Sequence, residues 1–497
     1  MKILLVSTNQ VKGFRAAMPI GMIAIASAAK KNGHTLHCID LCFENRSEEA
    51  LKKEILGFNP DIIGFSIRNI DNQNFLDPSF ILPPVRRYIK LSRKWKADTK
   101  IVVGGPAFTL MPDEMIKYLQ ADYGIVGPGE KNFIELLHKL GNNEDISDIP
   151  GLITYIGKET HLLPVDESYL GMEYLNADDI NLYDEKYYSY YFNGPTPMKH
   201  VAFPIMGKRG CVYSCIYCAN SLIAGTKIKL KPPSEVVDDI EAVIRHNKAK
   251  YFEFVDGAFN APYSHALEIC REMKKRKINH PWLCMFNPGN ATEELLDLMA
   301  ETGCKVAELG TECGSDIILR RLKKHFTVQK IKETHKMLTK RGIKAEHCVF
   351  LGSPGETEET LNETFNLLEE LVPNNAQTIN RVFISLGYRI FRGTELYDIA
   401  IEEKVISEND SLLLPKFYVN WNILNNDKLL DLIEHKVHKH TNWYLWWGFS
   451  RYTLREQIQQ VKAQYKGMEN AVVEALKHPC NLNSSEQLIK VQNGIIQ

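Results

Sequence analysis

The chain has no apolar run approaching the roughly 18 residues needed to cross a bilayer, and it has no basic excess. Its 60 lysines and arginines nearly cancel 61 aspartates and glutamates, for a formal net charge of −1. A protein built mainly to hold a nucleic-acid backbone needs a positive surplus, so nucleic acid is not an expected partner. The opening Met1-Lys2-Ile3-Leu4-Leu5-Val6 is too short for a signal-peptide core and runs straight into Ser7-Thr8-Asn9-Gln10. These absences predict a cytoplasmic protein without a membrane span. Repeat arrays and low-complexity tracts are also missing. Cysteine is sparse, 11 in 497 residues, an odd number unevenly spaced. That usage favours metal ligands and buried thiols over a disulfide framework.

What is present is ordinary globular composition, 44% hydrophobic and 24% charged. The length suggests two to four domains. Residues 1–141 alternate strands and helices: Lys2 to Val6, His34 to Leu41, Asp61 to Ile67, Lys100 to Val103 and Tyr123 to Val126 read as strands, and Pro19 to Lys31 as a helix. Repeated β–loop–α units imply a doubly wound, Rossmann-like parallel sheet. Such sheets bind ligands outside the carboxyl ends of their strands. Residues 142–200, rich in Asp, Tyr and Asn, read as a linker with a few short elements. Residues 201–410 carry six more β/α repeats, with strands at Val201–Ile205, Tyr251–Val255, Trp282–Phe286, Val306–Leu309, Lys344–Leu351 and Arg381–Leu386. Six repeats fit a partial, TIM-like barrel with its site at the carboxyl ends of the strands. Residues 411–497 read as a helical C-terminal region.

The strongest chemical signal is Gly210-Cys211-Val212-Tyr213-Ser214-Cys215-Ile216-Tyr217-Cys218, three cysteines spaced C-x3-C-x2-C directly after a strand. Soft thiolates suit zinc or iron–sulfur clusters. Three ligands without a fourth nearby leave an open metal position, and open positions do chemistry.

With these residues the chain resembles the radical SAM superfamily, whose signature is this loop on the first strand of a partial barrel. The resemblance implies that Cys211, Cys215 and Cys218 hold a [4Fe-4S] cluster and that S-adenosylmethionine binds the fourth iron. One-electron reduction would then cleave the sulfonium to a 5′-deoxyadenosyl radical. Tyr217 matches a family position near the adenine. The segment Phe252 to Asn260, with Asp256, looks like the second-strand segment that approaches the methionine moiety. Glu308 to Asp316, with Glu312 and Ser315, looks like the fourth-strand segment near the ribose. Phe350 to Thr357, with Gly352, looks like the fifth-strand glycine loop, and Gly387 to Tyr397 like the segment closing the barrel. Read from the residues alone, glycine loops after strands let a backbone approach a ligand closely. Glu312 at a barrel mouth would accept hydrogen bonds from a diol, or else serve a nearby backbone amide.

The first domain resembles the cobalamin-binding domain that precedes many radical SAM domains. Pro19-Ile20-Gly21, Asp61 to Ser66, Val102 to Ala107 and Asp122 to Glu130 match in order. The resemblance implies a cobalamin site formed by Ser66, Arg68, Asn69, Gly104, Gly105, Pro106, Gly127 and Glu130. Gly104 and Gly105 would admit the nucleotide tail, and Arg68-Asn69-Ile70-Asp71 would face the corrin. The D-x-H-x-x-G motif is missing: Ser7 to Gly13 contains neither Asp nor His. Bound cobalamin would then lack a histidine lower ligand. The competing reading is a Rossmann-like domain that has lost cobalamin or binds substrate.

Several features read as structural. His34, His37, Cys38 and Cys42 lie on or beside one strand, where neighbouring side chains face opposite ways. Cys270, Cys284, Cys304, Cys313 and Cys348 read as buried small hydrophobes, with Cys284, Cys313 and Cys348 as candidates to line the barrel, and Cys480 as incidental. Lys227-Ile228-Lys229-Leu230-Lys231 alternates like a half-exposed strand. Trp443, Tyr444, Trp446, Trp447 and Phe449 have the spacing of a core or interface helix. Gly127-Pro128-Gly129-Glu130 is weak as a phosphate loop by itself.

The two resemblances together imply a cobalamin-dependent radical SAM methyltransferase acting on an unactivated carbon or a phosphinate phosphorus. Cobalamin would lie between the β/α domains and the cofactors would carry the hard chemistry. The substrate would be a small molecule or peptide, and electrons would come from a flavodoxin or ferredoxin. Radical cyclisation, rearrangement or aminocarboxypropyl transfer is the second enzyme reading. A non-catalytic cobalamin or cluster sensor is the third, and the intact downstream barrel segments argue against it.

Overall fold

The computed structural model describes residues 1–11, 16–156, 159–162, 177–189, 200–246, 248–375, 378–445 and 453–462. In the first sheet, strands β1 (Lys2–Ser7), β2 (Thr35–Asp40), β3 (Ile62–Ser66), β4 (Lys100–Gly104) and β5 (Tyr123–Ile125) run parallel in the order β2-β1-β3-β4-β5. Apolar runs such as Ile3-Leu4-Leu5-Val6 suit strands covered on both faces. The helix Ile20–Lys31 buries its small residues Ala26, Ala28 and Ala29, which bring it close to the sheet. Strands β6 (Leu152–Ile156) and β7 (Glu159–Leu162), drawn from the expected linker, extend the sheet antiparallel. The strand order reverses between β1 and β3, the place where doubly wound sheets open a crevice for ligands.

The second sheet is all parallel. It contains β8 (Phe203–Ile205), β11 (Phe252–Phe254), β12 (Trp282–Phe286), β13 (Cys304–Glu312), β14 (Lys344–Leu351), β15 (Arg381–Leu386) and β18 (Trp443–Leu445). Two short antiparallel ribbons accompany it: β9 (Lys208–Arg209) with β10 (Lys229–Leu230), and β16 (Tyr388–Arg389) with β17 (Phe417–Tyr418). Six strands match the expected repeats. The seventh, β18, corrects the helical reading of the aromatic block: Trp443, Tyr444 and Leu445 pair with Val382, Phe383 and Ile384. Trp446, Trp447, Phe449 and Cys480 lie outside the described residues.

Alternation along the strands sorts the side chains. Phe254, Cys284 and Leu309 pack outward in one hydrophobic core, and Val349, Leu351 and Ile384 in the other. Ala202, Leu283 and Val306, with Tyr251, form a separate small cluster. Cys284 and Cys313 therefore belong to the outer cores, not to a barrel lining, whereas half-buried Cys348 alternates with Val349. Among the described residues no helix is long and apolar enough to cross a membrane.

Candidate active site between two sheets

The cysteine loop follows β9 at the carboxyl end of β8. Gly210 has φ +87°, and a Cβ there would lie 2.5 Å from the Lys227 carbonyl oxygen, so only glycine fits this entry. Cys211, Cys215 and Cys218 are all half-buried and free of disulfides. The Cys215 carbonyl accepts from Cys218 N at 3.1 Å, and Cys218 Sγ accepts from Asn220 N at 3.5 Å. Burial raises the Cys215 and Cys218 thiol pKa values, opposed at Cys215 by the Lys324 ammonium. A soft, softly bonded thiol triad of this kind fits an iron–sulfur cluster, in which each thiolate takes a different iron. Among the described residues no three His, Cys, Asp or Glu side chains converge as the ligand set of a single ion.

Around the triad the expected cofactor residues assemble. Tyr217 stacks within an aromatic group, its ring centroid 4.9 Å from Tyr388 and 5.8 Å from Phe350. Tyr388 in turn hydrogen-bonds Ser353 Oγ at 2.8 Å. Glu312 ends β13 at φ +63°, and its Oε1 accepts from Lys324 Nζ at 2.7 Å. Its Oε2 and the Ser315 hydroxyl are both buried without a hydrogen-bond partner. Two polar atoms left open in one buried site fit a ligand that brings hydrogen bonds, such as the ribose and amino-acid ends of S-adenosylmethionine. Gly352 has φ +88° and donates its N–H to Glu356, as does Ser353 at 3.2 Å. Asp256 accepts from Gly207 N at 3.0 Å and Lys208 N at 3.2 Å, with Lys208 Nζ 3.6 Å away. It therefore clamps the segment leading into the cysteine loop.

A cavity of about 400 Å³ opens between the carboxyl ends of the two sheets. The first domain contributes Ser66, Arg68, Gly104, Gly105, Pro106, Gly127 and Glu130; the second contributes Lys208, Arg209, Gly210 and Asp256. Seven of the eight residues expected at cobalamin thus line one space. Asn69 does not line it and instead accepts a 3.4 Å hydrogen bond from Arg68. A Cβ at Gly105 would stand 2.7 Å from the Ile67 carbonyl oxygen, and one at Gly104 3.5 Å from that of Ile125. Glycine at 105 is thus required by the chain's own turn, and both glycines leave main chain rather than side chain along this part of the cavity. No histidine stands among the described residues that line the cavity.

Two ion pairs join the halves of the site, and sequence reasoning found neither. Glu130 is buried and paired with Arg209, two residues before Cys211. Asp71, three residues after Arg68, is paired with buried Arg389, next to Tyr388. Lys324 was also missed. Its partners Glu312 and Tyr217 lie 12 and 107 positions away, and nothing in Lys323-Lys324-His325 marks the second lysine as buried.

Comparison with known proteins agrees with this geometry. Residues 206–368 match the model of the Radical SAM superfamily, and residues 16–137 match the B12 binding domain. An uncharacterized methyltransferase of Pyrococcus horikoshii is 24% identical over 457 residues, covering 88% of this chain and 95% of that protein. The anaerobic magnesium-protoporphyrin IX monomethyl ester cyclase of Rubrivivax gelatinosus is 24% identical, covering 72% of this chain and 63% of that one. Among solved structures, the radical S-adenosylmethionine methyltransferase TsrM from Kitasatospora setae, with cobalamin and a [4Fe-4S] cluster bound, superposes with a TM-score of 0.74. It is 20% identical and 99% of each chain is covered. That likeness establishes a shared fold.

Proposed function

Because this chain is a radical SAM enzyme that carries a B12 binding domain ahead of its radical SAM domain, we propose that it transfers a methyl group to an unactivated carbon or to phosphorus of a small molecule or peptide. The observation that carries the reading is the cavity. It joins Ser66, Gly104 and Gly105 to Lys208, Arg209 and Gly210, beside the first cluster cysteine. When bound, the cluster supplies an electron to the sulfonium of S-adenosylmethionine, and cobalamin carries the methyl group.

The chain's own residues have separable tasks in this reading. Cys211, Cys215 and Cys218 hold the cluster. Tyr217, Glu312, Ser315 and Gly352 hold S-adenosylmethionine, with Asp256 fixing the strand end beneath it. Ser66, Arg68, Gly104, Gly105, Pro106 and Gly127 shape the cobalamin cradle. Glu130 acts there through Arg209, and Asn69 through Arg68. The division 1–141, 142–200, 201–410 and 411–497 goes with it, β6 and β7 completing the first sheet and β18 the second. A flavodoxin- or ferredoxin-type protein would supply the electron.

The test is anaerobic purification, reconstitution with iron and sulfide, addition of hydroxocobalamin, desalting and metal quantification. About four irons and one cobalt per chain are expected. Turnover with S-adenosylmethionine should yield both S-adenosylhomocysteine and 5′-deoxyadenosine. Iron without cobalt, with 5′-deoxyadenosine alone, would replace methyl transfer by radical cyclisation or rearrangement. The similarity to a ring-forming cyclase favours that second reading.

A further inference from the structure

Lys324 is buried, its side chain only 10% exposed. A lysine in that position is costly unless its ammonium is fully engaged. Here it makes two hydrogen bonds. Nζ donates to Glu312 Oε1 at 2.7 Å and to Tyr217 Oη at 2.9 Å, and its charge acts on the nearby Cys215 thiol, whose pKa it lowers against burial. It lies 5.2 Å from the centroid of the Tyr217 ring, a cation–π arrangement. The position is built: Lys324 follows the helix Asp316–Arg321, whose Leu319 carbonyl accepts from its backbone N–H at 2.9 Å. One ammonium thus holds an aromatic wall of the site and the carboxylate whose second oxygen has no partner, and it does so beside the cysteine loop that carries Tyr217.

From this geometry we propose that Lys324 is a positioning residue, which fixes Glu312 so that Oε2 faces S-adenosylmethionine and keeps a cation at the Cys215 corner of the cluster. The inference rests on the proposed radical SAM function. It follows that the lysine couples two properties, ligand affinity and ease of cluster reduction. A fixed positive charge beside the cysteine loop stabilises the more negative, reduced cluster and raises its potential. A carboxylate held from one side also presents its other oxygen without first being ordered.

The experiment compares wild type, K324M and K324R after anaerobic reconstitution, by electron paramagnetic resonance during redox titration and by equilibrium binding of S-adenosylmethionine. All three should hold the same iron. In K324M the ratio of reduced to oxidised cluster at a fixed solution potential should fall about tenfold, equivalent to roughly 59 mV for one electron. Affinity for S-adenosylmethionine should fall by about tenfold as well, the loss expected for one charge-assisted hydrogen bond. K324R keeps the charge but not the paired hydrogen bonds to Glu312 and Tyr217, so its potential should stay near wild type while its affinity drops. If K324M does not fold, K324Q replaces it with the same expected shifts, since it keeps donors without charge. A neutral variant with wild-type potential and wild-type affinity overturns the inference and leaves the proposed function standing. A wild-type protein that takes up no cluster overturns both.

Discussion

Arg389 donates its Nε hydrogen to Asp71 Oδ2 at 2.8 Å, joining positions 318 residues apart across the boundary between the two sheets. Both side chains are fully buried. The rest of the guanidinium is used as well: Nη1 donates to the Ile390 carbonyl and Nη2 to that of Leu412, each at 2.6 Å. Asp71 Oδ1 meanwhile accepts from Gln73 N at 2.7 Å. Removing one member of such a pair strands the other charge in the interior, at a cost of about 3–5 kcal/mol. Asp71→Ala is therefore expected to lower the unfolding free energy measured by urea titration by that amount. It should also reduce cobalamin retention, because the same loop carries Arg68. The double variant with Arg389→Met should be less damaging than the sum of the single ones. Additive losses would show that the pair does not act as a unit.

Glu356 supplies a pH signature. It is buried beneath the Gly352–Ser353 turn, and burial pushes its pKa up from 4.5 to about 7, against the pull of the two backbone amides. A carboxyl that holds its proton more tightly in the folded chain stabilises fully below the unfolded value of 4.5. That contribution is lost as pH rises to about 7. The difference amounts to roughly 3 kcal/mol. Urea unfolding at pH 5 and pH 8 should show wild type losing stability across this window. Glu356→Gln, which mimics the protonated acid, should lose much less. Equal slopes for the two proteins would sink the assignment.

Glu312→Gln tests the open oxygen. The amide keeps the side-chain shape but replaces Oε2 or Oε1 by a donor and removes the charge that meets Lys324. Iron content should stay at the wild-type level, since Glu312 is not a cluster ligand. The dissociation constant of S-adenosylmethionine, measured by equilibrium dialysis of the reconstituted protein, should rise about tenfold. Unchanged affinity would return Glu312 to a structural partner of Lys324.

The parts of the fold that could be read from the sequence are those where one physical signal dominated. Trp282–Phe286, Lys344–Leu351 and Arg381–Leu386 are strands over the expected residues because runs of apolar and β-branched residues end at turn-forming ones. The cysteine loop was legible because its ligands are close in sequence. Trp443-Tyr444-Leu445 misled because so short an apolar run fits either period, and its pairing with Val382 to Ile384 is set by a contact 61 positions away. The ion pairs Glu130–Arg209 and Asp71–Arg389 and the Lys324 array had no local signal at all. Each is made by folding two distant, individually ordinary charged residues into one buried place.

Gly105 allows the cobalamin cradle to be tested apart from the cluster. Its φ of +101° lies where a side chain is strained. An added Cβ would meet Ile67 O at 2.7 Å and Ile67 N at 3.0 Å. Both Ile67 groups are in use: its N–H donates to the Gly104 carbonyl at 2.8 Å, and its carbonyl accepts from Ala107 N at 3.1 Å. Alanine at 105 must therefore displace Ile67 and, with it, neighbouring Arg68. Gly105→Ala is expected to cost about 1–3 kcal/mol and to lower cobalt per chain after desalting. Iron should be unaffected, because the cysteine loop belongs to the other sheet. The control is Gly141→Ala, inside the helix Glu130–Asn142, where the nearest atom to an added Cβ is Met1 Sδ at 4.0 Å. There alanine should gain up to about 1 kcal/mol from helix propensity and leave both metals alone. If Gly105→Ala retained full cobalt, the bare glycine wall would be a requirement of the backbone and not of a cofactor.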